Sequence, residues 1–263
     1  MKTQINVQLN TSIQDLIAAQ VDKTLVRKKD KLLTKPLEKI IKQELEKLRP
    51  VKYIIPNTGA IVVTNDKKHI KFDIVLALSN VSKQCMLVGP AGTGKTTLAE
   101  QVAKALGLNF ASISCSAGMS EAHLTGRMLF DGAYVSAEFV DIYENGGVFL
   151  FDEIDAADPN TLLVINSAIA NGYISLVNRK DNPKAKRHEN AVIIVSGNTY
   201  GQGSNMYQGR NYLDAVFLDR FAVTKVNIGY DTNLEKSFAK DAAERILLHK
   251  FWNFRANVLT YEL

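Results

Sequence analysis

Cysteine is nearly absent. Cys85 and Cys115 are the only two in the chain, too few for a disulfide framework, and they read as buried thiols in a reducing compartment. Equally missing is an apolar run of about 18 residues, the length a membrane-spanning helix needs. The opening Met-Lys-Thr-Gln-Ile-Asn-Val-Gln has no apolar signal region, and no internal repeat or low-complexity tract stands out. These gaps set aside a disulfide scaffold, a membrane span and a repeat array. The expectation is a soluble cytoplasmic protein of one large or two small domains. Its 46% hydrophobic content is ample for a core.

Charge is present but lopsided. The 263 residues carry a net charge of +5. Residues 1–50 hold 11 Lys and Arg against 6 Asp and Glu, so the whole excess lies there. A basic arm of this kind is a candidate nucleic-acid surface. The cations alternate with acids, however, as in Glu38/Lys42 and Lys42/Glu46. That i,i+4 spacing favours a solvated helix face. Within the arm, Ile13, Leu16, Ile17, Val21 and Leu25 share one helical face, and Leu37, Ile41, Leu45 and Leu48 share another.

What is plainly there is a phosphate-binding loop. Residues 85–96 read Cys-Met-Leu-Val-Gly-Pro-Ala-Gly-Thr-Gly-Lys-Thr, and Gly89, Gly94, Lys95 and Thr96 fill every fixed position of G-x-x-x-x-G-K-[ST]. Backbone N–H groups of such a loop and the positive end of the following helix face the phosphates. Met86, Leu87 and Val88 supply the preceding strand. Leu98, Ala99, Val102, Ala103 and Leu106 form the buried stripe of the helix. The nucleotide-binding set is therefore Gly89, Pro90, Ala91, Gly92, Thr93, Gly94, Lys95, Thr96 and Thr97. Lys95 would neutralise the β and γ phosphates, and Thr96 would ligate Mg2+.

A second signal is Val148-Phe149-Leu150-Phe151-Asp152-Glu153, an apolar strand ending in two acids at the sheet edge where ligands sit. Asp152 is placed to hold Mg2+, and Glu153 to take a proton from an attacking water. Asp158-Pro159 caps the next helix, so capping does not explain the two acids. The strand at 191–195 ends Ser196-Gly197-Asn198-Thr199, which puts Asn198 beside Glu153 if the strands are neighbours. It would orient the lytic water, or merely form a turn. Arg220, in Leu218-Asp219-Arg220-Phe221, is too far along the sheet for its own phosphates. It would either reach a neighbour's γ-phosphate or pair with Asp214 or Asp219.

Between these motifs, strands expected at 110–114, 148–151, 191–195 and 222–228 alternate with helices near 136–144, 160–170 and 212–218. A hairpin is expected from Tyr53-Ile54-Ile55 to Ala60-Ile61-Val62-Val63, and a helix over Phe72–Leu78. Alternation of this kind predicts an α/β fold with a parallel sheet covered on both faces.

In order and rough spacing, Gly89–Thr96, Phe149–Asp155, Asn198 and Arg220 resemble the Walker A, Walker B, sensor 1 and arginine-finger elements of AAA+ ATPases. Ser196-Gly197-Asn198-Thr199-Tyr200-Gly201-Gln202-Gly203 and Tyr207-Gln208-Gly209 are similar to the MoxR/dynein-related branch, most closely its CobS-like group. Thr125-Gly126-Arg127 through Phe130-Asp131-Gly132 resembles that branch's helix-2 insert. Gly172–Val177, leading through a basic tip at Lys184, Lys186, Arg187 and His188, resembles its pre-sensor-1 hairpin. The resemblance covers about residues 65–228 and implies a P-loop AAA+ core with ATP and Mg2+ as cofactors. It further implies a homo-oligomeric ring, usually of six subunits, with ATP sites between neighbours. It also raises Asn198 and Arg220 to expected catalytic residues beside Glu153.

The partition that follows is a helical arm at 1–50, an ATPase core at 51–228 and a short helical lid at 229–263. The lid is expected to hold one helix over Leu234–Lys250 and a Trp252/Phe254 patch, with Arg245 or Arg255 as the only sensor-2 candidates. Ser114–Leu124 lacks the aromatic–apolar–Gly pore loop of threading unfoldases, which moves weight to Phe130 and Tyr134. The expected function is ATP hydrolysis that remodels a partner protein, with no chelatase role carried over from the CobS-like group. The alternatives are a nucleic-acid motor or loader and a nucleotide-gated scaffold. The segment Lys67–Phe72, where base contacts are expected, does not distinguish ATP from GTP.

Overall fold

The computed structural model describes residues 67–199, 201 and 211–260, and a short antiparallel pair, β1 (Tyr53–Ile54) with β2 (Ile61–Val62). The arm expected over 1–50 and the Tyr207-Gln208-Gly209 run lie outside the described residues. The core is a five-stranded parallel sheet in the order β11-β3-β10-β7-β4. Its strands are β3 (Gln84–Val88), β4 (Phe110–Ser114), β7 (Gly147–Asp152), β10 (Ala191–Gly197) and β11 (Lys225–Asn227). The α/β expectation holds.

Both faces of the central strands β3, β7 and β10 are covered, which is why they are continuous apolar runs rather than alternating ones. On one face Met86, Val88, Phe149, Phe151, Ile193 and Val195 meet helices α4 (Glu138–Asn145) and α5 (Pro159–Asn171). Phe139 of α4 lies 5.0 and 4.9 Å, ring to ring, from Phe149 and Phe151, an edge-and-tilt cluster that adds to simple burial. On the other face Cys85, Leu87, Val148, Leu150, Val192 and Ile194 meet α1 (Phe72–Ser82) and α2 (Lys95–Leu106). The stripe read from the sequence is the buried side of α2, where Leu98, Ala99, Val102 and Ala103 are all inaccessible. Asp158 caps α5 as expected, accepting from the Asn160 N–H at 2.8 Å with Pro159 in the first turn.

Two hairpins flank α4. A short helix α3 (Ala122–Thr125) leads into β5 (Arg127–Met128) and β6 (Tyr134–Val135). Phe130 at its tip is fully exposed, whereas the Tyr134 hydroxyl donates to the Thr125 carbonyl at 2.5 Å. Of the two aromatics to which weight moved, Tyr134 thus closes the hairpin and Phe130 does not. The second hairpin pairs β8 (Tyr173–Ser175) with β9 (Lys184–Lys186). Its loop is clamped to α4 by a two-pronged Arg179–Glu144 ion pair at 2.7 and 2.8 Å. The expected basic tip is corrected here. Arg187 and His188 lie at the base, where Arg187 donates to the Lys83 and Ala191 carbonyls and the His188 N–H donates to Tyr143. Strand pairing forces this, because β9 already occupies residues 184–186.

The C-terminal segment also departs from expectation. The single helix over Leu234–Lys250 is two helices, α7 (Thr232–Phe238) and α8 (Ala242–Thr260), after α6 (Ala215–Asp219) and β11. Asp241 accepts from the Glu244 N–H at 2.8 Å, and Glu244 accepts from the Lys240 N–H at 2.6 Å. These two caps start a new helix where the apolar spacing alone reads as continuous. Among the described residues, no helix is long and apolar enough to cross a membrane.

Candidate nucleotide and hydrolysis site

All five parallel strands end on one edge, so the residues that follow them converge. After β3 the chain turns through Gly89–Gly94 into α2. Gly92 and Gly94 take positive φ of 77° and 80°, a region open to glycine at little steric cost. Gly89 is needed for a different reason. A Cβ there would sit 1.9 Å from the Ile228 carbonyl oxygen, because the chain leaving β11 presses against the loop. Gly94, which caps α2, makes no side-chain cap bond, and no acid occupies the first turn. The positive end of α2 is therefore left facing the loop, as an anion site requires.

Lys95 is only 7% exposed, and its ammonium donates to the Gly89 carbonyl at 2.8 Å, the Pro90 carbonyl at 2.9 Å and Asn198 Oδ1 at 2.8 Å. Asn198 is thereby brought to the phosphate loop. The juxtaposition follows from strand order, since β10 lies between β3 and β7. Thr96 donates its hydroxyl to Asp152 Oδ2 at 2.5 Å. The other Asp152 oxygen accepts from the Ser196 hydroxyl and, at 3.1 Å, from the Glu153 N–H. Val195 pairs with Phe151, so the next residues, Ser196 and Asp152, face each other.

Thr96 and Asp152 offer a hydroxyl and a carboxylate, hard oxygen donors of the kind Mg2+ takes. Among the described residues no cluster of three or more His, Cys, Asp or Glu could hold a metal. A cation between Thr96 and Asp152 would therefore draw most of its ligands from phosphate and water, which is how Mg2+ is ordinarily bound. The donor set fits.

Glu153 has φ 55° and ψ 43°, left-handed backbone that costs a non-glycine residue about 1–3 kcal/mol. Its N–H is held by Asp152 Oδ1 and, at 3.4 Å, by Ser196 Oγ. The turn keeps the carboxylate at the strand end instead of continuing the sheet.

Arg220 lies elsewhere. Its carbonyl accepts from Gln84 Nε2 at 2.8 Å, and its Nε donates to Asn166 Oδ1 on α5. Gln84 begins β3 and Gly89 follows its end, so at ~3.3 Å per residue about 16 Å of strand separates Arg220 from its own loop. The Asp214 and Asp219 pairings weighed from the sequence give way to Asn166. Of the sensor-2 candidates, Arg255 is bound to Glu235 at 2.8 and 3.1 Å and stacks 3.6 Å over the Tyr230 ring, while Arg245 is exposed on α8.

Four contacts escaped sequence reading: Ser196 on Asp152, Asp155 on the Asn198 turn, Ile228 against Gly89, and the Tyr230 hydroxyl on the Ala91 carbonyl at 3.1 Å. Only Asp155 left a trace, as a third acid two residues beyond the Asp-Glu pair.

The sequence signature of the AAA domain, dynein-related subfamily, matches residues 84–221, more than half of the chain. The chain belongs to the dynein-related AAA family. This AAA protein is similar to the uncharacterised protein YojN of Bacillus subtilis, 26% identical over 164 residues that make up 60% of this chain and 51% of YojN. It is also similar to the uncharacterised protein SH1500 of Staphylococcus haemolyticus, 27% identical over 106 residues, 37% of this chain and 40% of that protein. The AAA chain thus spans about half or less of these curated relatives. Among solved structures, a candidate ATPase of Cytophaga hutchinsonii superposes with a TM-score of 0.53 at 17% identity, covering 77% of this chain and 58% of its own. At that identity the likeness speaks for the fold.

Proposed function

We propose that this AAA protein is an ATPase of MoxR or CobS type. On this reading it binds ATP with Mg2+, assembles into a homo-oligomeric ring of about six subunits and remodels a partner protein or complex. The reading keeps 51–228 as the ATPase core and 229–263 as the lid. The supporting observation is the meeting of Lys95, Thr96, Asp152, Glu153 and Asn198 at one sheet edge while Arg220 sits at the other.

In this reading the loop N–H groups from Gly92 to Thr97 bind phosphate oxygens, and Lys95 leaves the Gly89 and Pro90 carbonyls to neutralise the β and γ groups. When bound between Thr96 and Asp152, Mg2+ supplies charge neutralisation of those phosphates. Glu153 takes the proton of the attacking water, and Asn198 orients that water. Arg220 is offered to the neighbouring subunit's γ-phosphate, which makes turnover depend on assembly. Phe130, bare at the insert tip, is the side chain we assign to partner contact. The nucleic-acid alternative is weakened because the Arg187 guanidinium, one of the basic groups it would use, is engaged at the hairpin base.

Steady-state ATPase and nucleotide-binding measurements on wild type and Glu153→Gln test the reading. We expect Glu153→Gln to bind ATP as wild type does and to lose turnover by about a hundredfold or more. Wild type without turnover at high protein concentration, or Glu153→Gln with full turnover, would contradict it.

A further inference from the structure

Asp155 is a wholly buried carboxylate, at 0% exposure, that the mechanism above does not use. Burying a carboxylate costs several kcal/mol in order of magnitude unless hydrogen bonds replace its water. Here they do, and one of its oxygens takes three donors from a single turn. Asp155 Oδ2 accepts from the Asn198 N–H at 3.1 Å, the Thr199 N–H at 3.0 Å and the Thr199 hydroxyl at 2.9 Å.

The same residue grips the far side of the following segment. Its carbonyl accepts from the Asn211 N–H at 2.7 Å, and the Asn211 side chain donates to the Ala157 carbonyl at 3.0 Å. The Leu213 N–H then donates to the Gly201 carbonyl, and the chain runs through α6 to Arg220. One acid thus joins three things: the turn carrying Glu153, the Asn198 amide that touches Lys95, and the segment that delivers Arg220.

We infer that Asp155 is a positioning residue for hydrolysis, acting through Asn198 by holding its backbone so that its amide meets Lys95 and the water site. The inference rests on the hydrolytic reading proposed above. Charge-assisted bonds to a carboxylate are roughly twice as strong as neutral ones, which makes this a stiff support for a side chain that must be placed to a fraction of an ångström.

The test is a double-mutant comparison of kcat, KM and ATP affinity in wild type, Asp155→Ala, Asn198→Ala and the double variant, with Asp155→Asn and Thr199→Val alongside. Asp155→Ala is expected to lower kcat by roughly ten- to a hundredfold while KM and ATP affinity stay within about twofold. Asp155→Asn should recover part of that loss, since its amide oxygen still accepts the same donors. In the Asn198→Ala background, losing Asp155 should cost nothing further, because its effect runs through Asn198. Multiplicative losses in the double variant would overturn the inference, as would a fall in ATP affinity that tracks a fall in melting temperature. Should Asp155→Ala fail to fold, Thr199→Val decides. It removes one donor from Asp155, and it must lower kcat in wild type but not in Asn198→Ala; unchanged kcat refutes the inference. Absence of turnover in wild type would overturn the hydrolytic reading and this inference with it. Normal turnover that falls in Asn198→Ala but not in Asp155→Ala would overturn this inference alone.

Discussion

Replacing Gly89 by alanine adds one methyl group at the place where β11 and the phosphate loop press together. The new carbon would lie 1.9 Å from the Ile228 oxygen and 2.9 Å from its carbonyl carbon. A comfortable carbon–oxygen contact needs about 3.3 Å, so one of the two backbones must retreat by roughly 1.4 Å. Both are anchored. The Ile228 N–H donates to the Val88 carbonyl at 2.7 Å, and the Gly89 N–H donates to Gly197 at 3.2 Å. β11 is a three-residue edge strand paired only with β3, so it yields first and its bond to Val88 is lost. A lost backbone bond costs about 0.5–1.5 kcal/mol, and overpacking adds about 1–3 kcal/mol. Gly89→Ala should therefore destabilise the fold by about 1.5–4.5 kcal/mol. Nucleotide affinity should fall too, since Tyr230, two residues past Ile228, touches the loop at Ala91. Gly92→Ala is the control: nothing lies within 4 Å of its Cβ, and only the positive φ of 77° opposes it, worth about 1–2 kcal/mol. Urea denaturation and fluorescent-nucleotide titration of both variants measure the difference. Gly92→Ala proving the more damaging, or Gly89→Ala matching wild type in both assays, would refute this reasoning.

The acid side of the lid offers a second test. Burial works to raise the Asp231 carboxyl, but N–H donors from Leu234, Ile70 and Asn233 and the nearby His69 outweigh it, and the net shift is downward. At Glu235 burial is likewise overcome, by Arg255 and Trp252. A lowered folded pKa gives stabilisation that is complete above the ordinary carboxylate value near about pH 4 and lost as pH falls through the lower folded value. Emission of Trp252, the one tryptophan and a donor to Glu235, should therefore hold steady down to about pH 4 and change below it; a transition centred above that point contradicts the assignment. Burial pushes the Cys85 and Cys115 thiols up to about 12, which suppresses thiolate near neutrality. A thiol reagent at pH 8 should thus label neither in the native protein and both in denaturant, and rapid native labelling would count against the packing described.

Features written in local pattern were legible in the sequence. Gly89–Thr96 with its flanking strand and stripe, the acid pair at 152–153, and the Asp158-Pro159 cap each carry their signal within a dozen residues, and each stands where it was read. Strand alternation sufficed for the parallel sheet, whereas Asn198 was expected beside Glu153 and its amide meets Lys95 of the phosphate loop. What was not legible depends on distant chain. Nothing near Gly89 announces that Ile228 will crowd it, and nothing near Tyr230 announces Ala91. The α7–α8 break was missed because apolar spacing continues across Asp241, while the decisive signal was its pairing with Glu244 three residues on. The basic run at 184–188 looked like a tip because charge suggests exposure; the Lys83 and Ala191 carbonyls that claim Arg187 come from other strands and turns.

The central claim is that one subunit's Glu153 and its neighbour's Arg220 form a single hydrolytic site. It is tested most directly by mixing Glu153→Gln with Arg220→Ala and measuring ATPase activity before and after co-assembly. Each variant alone should lose turnover, Arg220→Ala by about a thousandfold or more if it acts as a finger. The mixture should regain activity, because Arg220 of a Glu153→Gln subunit can serve the intact site of its neighbour. A mixture as inactive as its parts, or an Arg220→Ala protein with wild-type turnover, would contradict the account.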